Sequence, residues 1–443
     1  MSVKIIVAGA GHGGIAAAAI LAQNGYDVTV YERGKEGTLG YDWTDIFAPG
    51  ALKIAGIGMP PEDKYEYKEN MTFYSPNMKK GLRQNVAPDQ LEIKMERKDI
   101  YSHLISHAVD CGAKFVYECN IEGPILFGNR VVGIKTSKGD FYGDLVIDAA
   151  GIDSPVKINL PAVCGIEKVP GEFSQFNVFR AFYNRATDEE VEDKYKVCLL
   201  PGGNLGVGWI AAEEEYSDLL IGLFDKLTDE KVNEIAELFR SENPVLGTEL
   251  KRGGQYVKIP VRQPLAIMVC DGYAAIGDSA FMTVPVIGSG IANSLKAARI
   301  LADTIIADKY NCFCVDTLWD YQVKYYKALG SGLAQLACVK LLLTQLTPDE
   351  LDYMFECGVL TAKDLTIGAD STSLVSMIKV NPAELIEKAK GVIKDPVLLK
   401  KILLTGKRIA SVVTATTTMP RRWNRQQVFK WAKQYKMCFQ IDG

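Results

Sequence analysis

The feature that most constrains this chain lies within its first 33 residues, where Gly9-Ala10-Gly11-His12-Gly13-Gly14 separates two unlike patterns. Before it, Val3 to Ala8 is almost continuously apolar, as a strand covered on both faces requires. After it, Ile15 to Gln23 is a run of small and aliphatic residues that predicts a helix, closed by Asn24-Gly25. Val28 to Glu32 predicts a second strand. In such a unit Gly9 serves the tight turn, Gly11 lets backbone approach a pyrophosphate, and Gly14 lets the helix pack closely on the strand. The helix start would offer amide donors and a dipole to phosphates. Glu32, about 20 residues on, can accept hydrogen bonds from ribose hydroxyls. A glycine turn alone is a weak signal, but strand, turn, helix, strand and acid together predict a dinucleotide site.

At 443 residues the chain exceeds an ordinary domain of about 100 to 200, so two or three units sharing a core are expected. Apolar residues at 48% and charged residues at 23% leave little room for extensive disorder. A net charge of -4 excludes a general nucleic-acid binder, although the average conceals a skew. Residues 391 to 443 hold eleven Lys or Arg against Asp395 and Asp442, a net +9, which leaves -13 on residues 1 to 390. Ten scattered cysteines without a CxxC, and only His12, His103 and His107, suggest neither a metal site nor an iron–sulfur cluster. Met1-Ser2-Val3-Lys4 runs straight into the first strand, and no uncharged apolar run reaches about 18 residues. A cytoplasmic protein is expected, with peripheral membrane contact left open by the basic tail.

Further motifs follow. Arg97 precedes a predicted helix from Lys98 to Cys111, turns fall at Gly128-Asn129 and Ser137-Lys138-Gly139-Asp140, and the apolar strand Leu145 to Asp148 enters Ala149-Ala150-Gly151. Tyr273 to Asp278 predicts another apolar strand, and Gly288-Ser289-Gly290 opens a helix through about Ala307. A carboxylate such as Asp278 at a strand end, beside a glycine-led helix start, can hold a polyol while the dipole faces an anion. The order and spacing of Gly9-x-Gly11-x-x-Gly14 with Glu32, Arg97, Asp148-Ala149-Ala150-Gly151, and Gly277-Asp278-Ser279-Ala280 with Pro285-x-x-Gly288-x-Gly290 resemble one family. It is the FAD-dependent superfamily of p-hydroxybenzoate-hydroxylase-like monooxygenases, geranylgeranyl reductases and flavin-dependent halogenases. The resemblance spans residues 1 to about 305.

That resemblance implies an α/β fold with a Rossmann-like FAD-binding domain of the glutathione-reductase type, discontinuous over residues 1–160 and 265–330. Residues 161–264 would form an inserted β-sheet substrate domain over the flavin, with strands near Phe176 to Phe182, Tyr195 to Leu200, Val207 to Ala212 and Gln255 to Val261. Residues 331–443 would be a C-terminal helical region with a basic tail, read from Leu336, Val339, Leu343 and Leu346 at spacings of three and four. The implied cofactor is non-covalent FAD. Glu32, with Arg33 beside it, would bind the adenosine ribose, Arg97 the ribityl or pyrophosphate side, and Asp278 a ribityl hydroxyl. Gly151 and Pro285 belong to the same implied set, and Gly288 and Gly290 would bring backbone donors to the pyrimidine edge. A helix N-terminus there would stabilise an anion by about 0.3 to 1 kcal/mol.

Two segments are expected to reach the ring: Leu39 to Asp45, and Pro201 to Trp209. Trp43 and Trp209 are candidate catalytic residues against a plain packing role, and Asp45 is a candidate acid or base against a surface or capping role. The halogenase pattern WxWxIP has no match among Trp43, Trp209, Trp319, Trp423 and Trp431. Val207-Gly208-Trp209-Ile210-Ala211-Ala212 shares only its tryptophan with the YxWxFP pattern of geranylgeranyl reductases. No second Rossmann fingerprint is present, so electrons would come from transiently bound NAD(P)H or from a protein carrier. The leading expectation is an oxidoreductase that reduces a carbon–carbon double bond of an apolar small molecule. The alternatives are a monooxygenase using NAD(P)H and oxygen, and a flavin-binding electron-transfer protein. In the tail, Val428, Trp431, Ala432 and Tyr435 oppose Arg425, Lys430, Lys433 and Lys436 at helical spacing. Such a helix can cover its own core, dock an acidic electron carrier, or lie on anionic lipid.

Overall fold

The computed structural model describes residues 2–168, 171, 173–365, 388 and 390–440. Within the expected C-terminal helical region, residues 366–387 lie outside the described residues. A six-stranded sheet runs in the order Val269–Cys270, Tyr273–Ala275, Leu145–Asp148, Lys4–Ala8, Asp27–Tyr31, Lys114–Val116. All its pairings are parallel except the first. Parallel strands are covered on both faces, and Ile5, Ile6, Val7 and Ala8 are accordingly no more than 3% exposed. The helix His12–Gln23 packs on this sheet between the helices Arg97–Asp110 and Ile291–Ala307. It starts three residues before the apolar run Ile15 to Gln23, because Gly11 takes the N-cap position in extended backbone. Its alanines 16 to 19 are at most 1% exposed, and their small size permits the close approach.

A seven-stranded sheet covers the carboxyl ends of those strands. Its order is Leu246–Pro260, Gln175–Arg185, Tyr216–Leu223, Gly206–Ala212, Tyr195–Leu199, Thr72–Tyr74, Gly81–Arg83. The last two strands lie outside the expected 161–264 span. Thr72–Tyr74 pairs parallel with Tyr195–Leu199 and covers what would otherwise be an open edge. Tyr216–Leu223 was not legible as a strand, because Asp218 interrupts its apolar pattern. That residue is fully buried and ion-paired with Arg180 of the neighbouring strand. The helix Asp229–Glu242 covers one face of the sheet through Val232, Ile235, Ala236 and Phe239. The opposite face meets Trp43, Phe73, Leu342, Met354 and Ile402, which bring in the C-terminal helices Ser331–Leu343, Pro348–Glu356 and Pro396–Thr417.

The tail helix Arg425–Met437 turns its apolar side inward. Val428, Trp431, Ala432 and Tyr435 are at most 5% exposed in the core that contains the parallel sheet. Trp431 Nε1 donates to Ala415 O at 2.7 Å, and Tyr435 Oη to Pro264 O at 3.3 Å. Covering its own core uses up most of the apolar face, and Arg425, Lys430 and Lys433 stay exposed on this helix beside Gln426, Gln427, Gln434 and Met437.

Candidate flavin and substrate site

One cavity of about 830 Å³ begins at the carboxyl ends of the parallel strands, where doubly wound folds bind ligands, and continues under the seven-stranded sheet to the C-terminal helices. Gly9, Gly11, Gly14, Glu32, Arg33, Arg97, Gly151, Asp278, Gly288 and Gly290 all line its first part. Pro285 does not; it is buried beside the cavity, which Val284 and Val286 reach on either side of it. Its expected contact with the cofactor is therefore corrected to a backbone role in the turn before Gly288.

The glycine turn is held by its neighbours. Gly9 has φ +88°, and a Cβ there would lie 2.6 Å from Ala150 Cα. At Gly14 a Cβ would lie 2.5 Å from the Ala149 Cβ, which is the close packing expected of it. At Gly11 a Cβ would meet Ala149 O at 2.7 Å, so the chain approaching on the far side of the turn also requires a glycine there. No side chain caps the helix His12–Gln23. Its first amide donors therefore open toward the cavity, as an anion site needs. Glu32 accepts from Ala10 N at 2.8 Å and from Gly34 N at 2.7 Å, which fixes its carboxylate beside the turn. Burial raises the pKa of Asp278 against the pull of Arg97 and Lys157.

Further along, Arg97 and Asp45 form a bidentate ion pair, with Nη2 to Oδ1 at 2.7 Å. Burial pushes the Asp45 carboxyl up, but Arg97, His12 and Arg180 together hold it below the ordinary carboxylate range. Asp45 is thus held as an anion that fixes the Arg97 guanidinium. Trp43 is 3% exposed, with Arg97 at 5.0 Å and Arg180 at 5.6 Å from its ring centroid. Trp209 also lines the cavity, 4.8 Å from the Arg180 guanidinium.

Sequence reading missed several members of this wall. Arg180 is 4% exposed and bonded to Asp218 and Thr44; its signal was a lone charge within an apolar strand, with Asp218 in another. His12 stacks on Tyr101 at 4.7 Å, and burial, aided by Arg97, lowers its pKa to about 4. Lys68 sits at 7% exposure, 3.6 Å from Glu92. Lys68 had no sequence pattern to announce it, whereas His12 stood inside the glycine turn as one of three histidines.

The donor set fits a large polar ligand. Four buried side-chain nitrogen or oxygen atoms lack a partner among the described residues, and two of them, His12 Nε2 and Trp43 Nε1, belong to residues of this cavity wall. A cavity with an uncapped helix start, a fixed ribose-side carboxylate and two unused polar atoms suits a flavin dinucleotide.

Comparisons agree. Residues 7–56 match the family described as NAD(P)-binding Rossmann-like domain. The digeranylgeranylglycerophospholipid reductase of Methanothrix thermoacetophila is 23% identical over 408 residues, which is 87% of this chain and 98% of that protein. Reductase 2 of that name from Methanopyrus kandleri is 25% identical, over 90% of this chain and 98% of its own. A solved geranylgeranyl bacteriochlorophyll reductase-like protein from Thermoplasma acidophilum superposes with a TM-score of 0.72 at 17% identity, covering 91% and 100% of the two chains. The chain thus carries a Rossmann-like nucleotide-binding unit and is similar over most of its length to reductases of this name. The motif residues 9–14, 32, 97, 149–151, 277–278 and 288–290 surround one continuous cavity.

The depressed pKa of His12 gives the protein a specific pH response. An unfolded histidine binds its proton near pH 6.5, whereas the folded one resists until about 4. The contribution is complete above 6.5 and is lost as pH falls from 6.5 toward 4, with the unfolded state binding the extra proton. His12→Asn should flatten the stability profile across that window relative to the parent. Parallel denaturant titrations at pH 7, 5.5 and 4.5 test this; identical slopes would refute it.

Proposed function

We propose that this oxidoreductase reduces a carbon–carbon double bond of a long apolar substrate. The observation that carries the reading is the second part of the cavity. Beyond Trp43 and Trp209 its wall becomes Phe73, Phe176, Val178, Val197, Leu199, Leu336, Leu342, Met354 and Ile402. A chamber with a mainly aliphatic and aromatic wall, reached also by Lys68, Glu92, Asp364 and Lys388, gains most from an apolar ligand. The reductase names carried by the similar archaeal proteins support the same substrate class.

When bound, FAD supplies the two-electron transfer. The residues of this chain do the rest. Gly9 to Gly14 and the helix start would receive the pyrophosphate, Glu32 the ribose and Asp278 the ribityl chain, with Gly288 and Gly290 offering backbone donors to the ring. The Asp45–Arg97 pair holds a cation at the junction of cofactor and substrate regions. Trp43 offers an indole N–H to the junction, and Arg180 holds the rings of Trp43 and Trp209 in place. The apolar wall excludes water from the reacting bond. NAD(P)H, bound briefly, would be the electron donor.

The test is anaerobic. Chemically reduced enzyme mixed with a detergent-dispersed polyprenyl alkene should return to the oxidised spectrum and yield product heavier by two hydrogens. A product gained only in air and heavier by one oxygen would replace this reading with a hydroxylase. Stopped-flow mixing with NADH and NADPH should reduce the flavin; reduction by neither would transfer the donor role to a protein carrier.

A further inference from the structure

The helix Pro396–Thr417 contains no Asp or Glu and has two differently occupied sides. Inward, Leu398, Ile402, Thr405 and Ile409 are buried, and Ile402 and Thr405 form part of the cavity wall. Outward, Val397, Leu403 and Leu404 are 60%, 49% and 39% exposed. Lys400 and Lys407 are exposed on the same stripe, three or four residues from those aliphatics. Just ahead of the helix, Ile393 is 65% exposed beside the exposed Lys394. Arg408 donates to Gln440 O, which brings the end of the tail helix alongside together with Met437, 56% exposed.

Single exposed aliphatics need no explanation, but here they are gathered and interleaved with lysines. A protein groove would favour an apolar centre with charges at the rim. Aliphatics and lysines alternating along one helix face match the interface of an anionic lipid layer, where the apolar stems enter and the ammonium heads reach back to the phosphates. The charge supports this occupant, because residues 391–443 carry a net +9. No single described helix is long and apolar enough to cross a membrane, so the contact is one of lying on the surface.

We propose that the outer face of Pro396–Thr417, with Ile393 and Met437, docks this protein on an anionic lipid surface. The wall of the apolar chamber then stands one helix diameter, about 10 Å, from the lipid. The docking rests on the exposed face alone; its use for substrate access rests on the function proposed above.

The experiment is co-sedimentation of the full-length, flavin-loaded protein with vesicles of phosphatidylcholine, alone or with half phosphatidylglycerol. Binding to the mixed vesicles is expected, falling steeply from about 50 to 300 mM salt. The double variants Leu403→Glu/Leu404→Glu and Lys400→Gln/Lys407→Gln should each weaken it at least tenfold, with flavin spectrum and thermal midpoint unchanged. Parent-like binding by both variants would overturn the proposal. So would weakening by the lysine pair but not the leucine pair, which would mark a purely electrostatic surface. If Arg425→Gln/Lys430→Gln/Lys433→Gln alone abolishes binding, the tail helix is the contact and the proposal fails. Turnover of detergent-dispersed alkene reads the proposed function separately: turnover without vesicle binding sinks the docking, and vesicle binding without turnover sinks the function.

Discussion

Arg180→Leu should destabilise the protein by about 3 to 5 kcal/mol, the largest loss expected from any single change in the substrate region. Asp218 is fully buried, and Arg180 is its ion-pair partner, with Nε to Oδ1 at 2.9 Å. The same guanidinium donates to Thr44 O and, at 2.7 Å, to Thr44 Oγ1, so it also ties the strand Thr44–Phe47 to the seven-stranded sheet. Removing it leaves a carboxylate without compensation in a place water does not reach. Asp218→Asn should also be costly, since it leaves the guanidinium buried without its anion. The double variant Arg180→Leu/Asp218→Leu removes both charges and should recover much of the loss. Denaturant unfolding of the parent, Arg180→Leu, Asp218→Leu and the double variant measures the cycle. A loss below about 1 kcal/mol in Arg180→Leu would mean that water enters the pair and that it contributes as a surface ion pair does.

Gly11→Val should abolish flavin retention while leaving the fold in place. The inserted Cβ would stand 2.7 Å from Ala149 O, and because that atom is backbone, the turn has to move away from the strand Leu145–Asp148. Movement of the turn carries the start of the helix His12–Gln23 with it and misaims the donors meant for the pyrophosphate. An affinity loss of about a hundredfold, near 3 kcal/mol, is expected. The purified variant should keep less than about a tenth of the parent's visible absorbance per protein, with unchanged far-ultraviolet circular dichroism. Gly25→Ala is the control, since a Cβ there meets nothing within 4 Å, although φ +86° makes it mildly strained. Undiminished flavin in Gly11→Val would show that the turn is not where the dinucleotide sits.

Local patterns in the sequence determined the elements that bind within a few residues of themselves. The run Val3 to Ala8, the turn Gly9 to Gly14 and the acid at Glu32 predict strand, turn, helix and carboxylate because each demand is met by adjacent residues. Even there, which atom Gly11 avoids depended on Ala149, far along the chain, and only the folded backbone brings the two together. Asp45 and Arg97 both stood out in the sequence, but their pairing across 52 residues belongs to the tertiary structure. The same holds for Thr72–Tyr74, a short segment whose place at the edge of the distant sheet is decided by an open strand needing a partner. Arg180 and Asp218 read separately as interruptions in apolar strands; antiparallel pairing turns them into a buried ion pair. The tail helix makes the point most plainly, since its period was evident from Val428, Trp431, Ala432 and Tyr435. Periodicity specifies a face but not what covers it. The protein's own core took that face, and the exposed face fell to Pro396–Thr417 because that helix has only one side against the chamber.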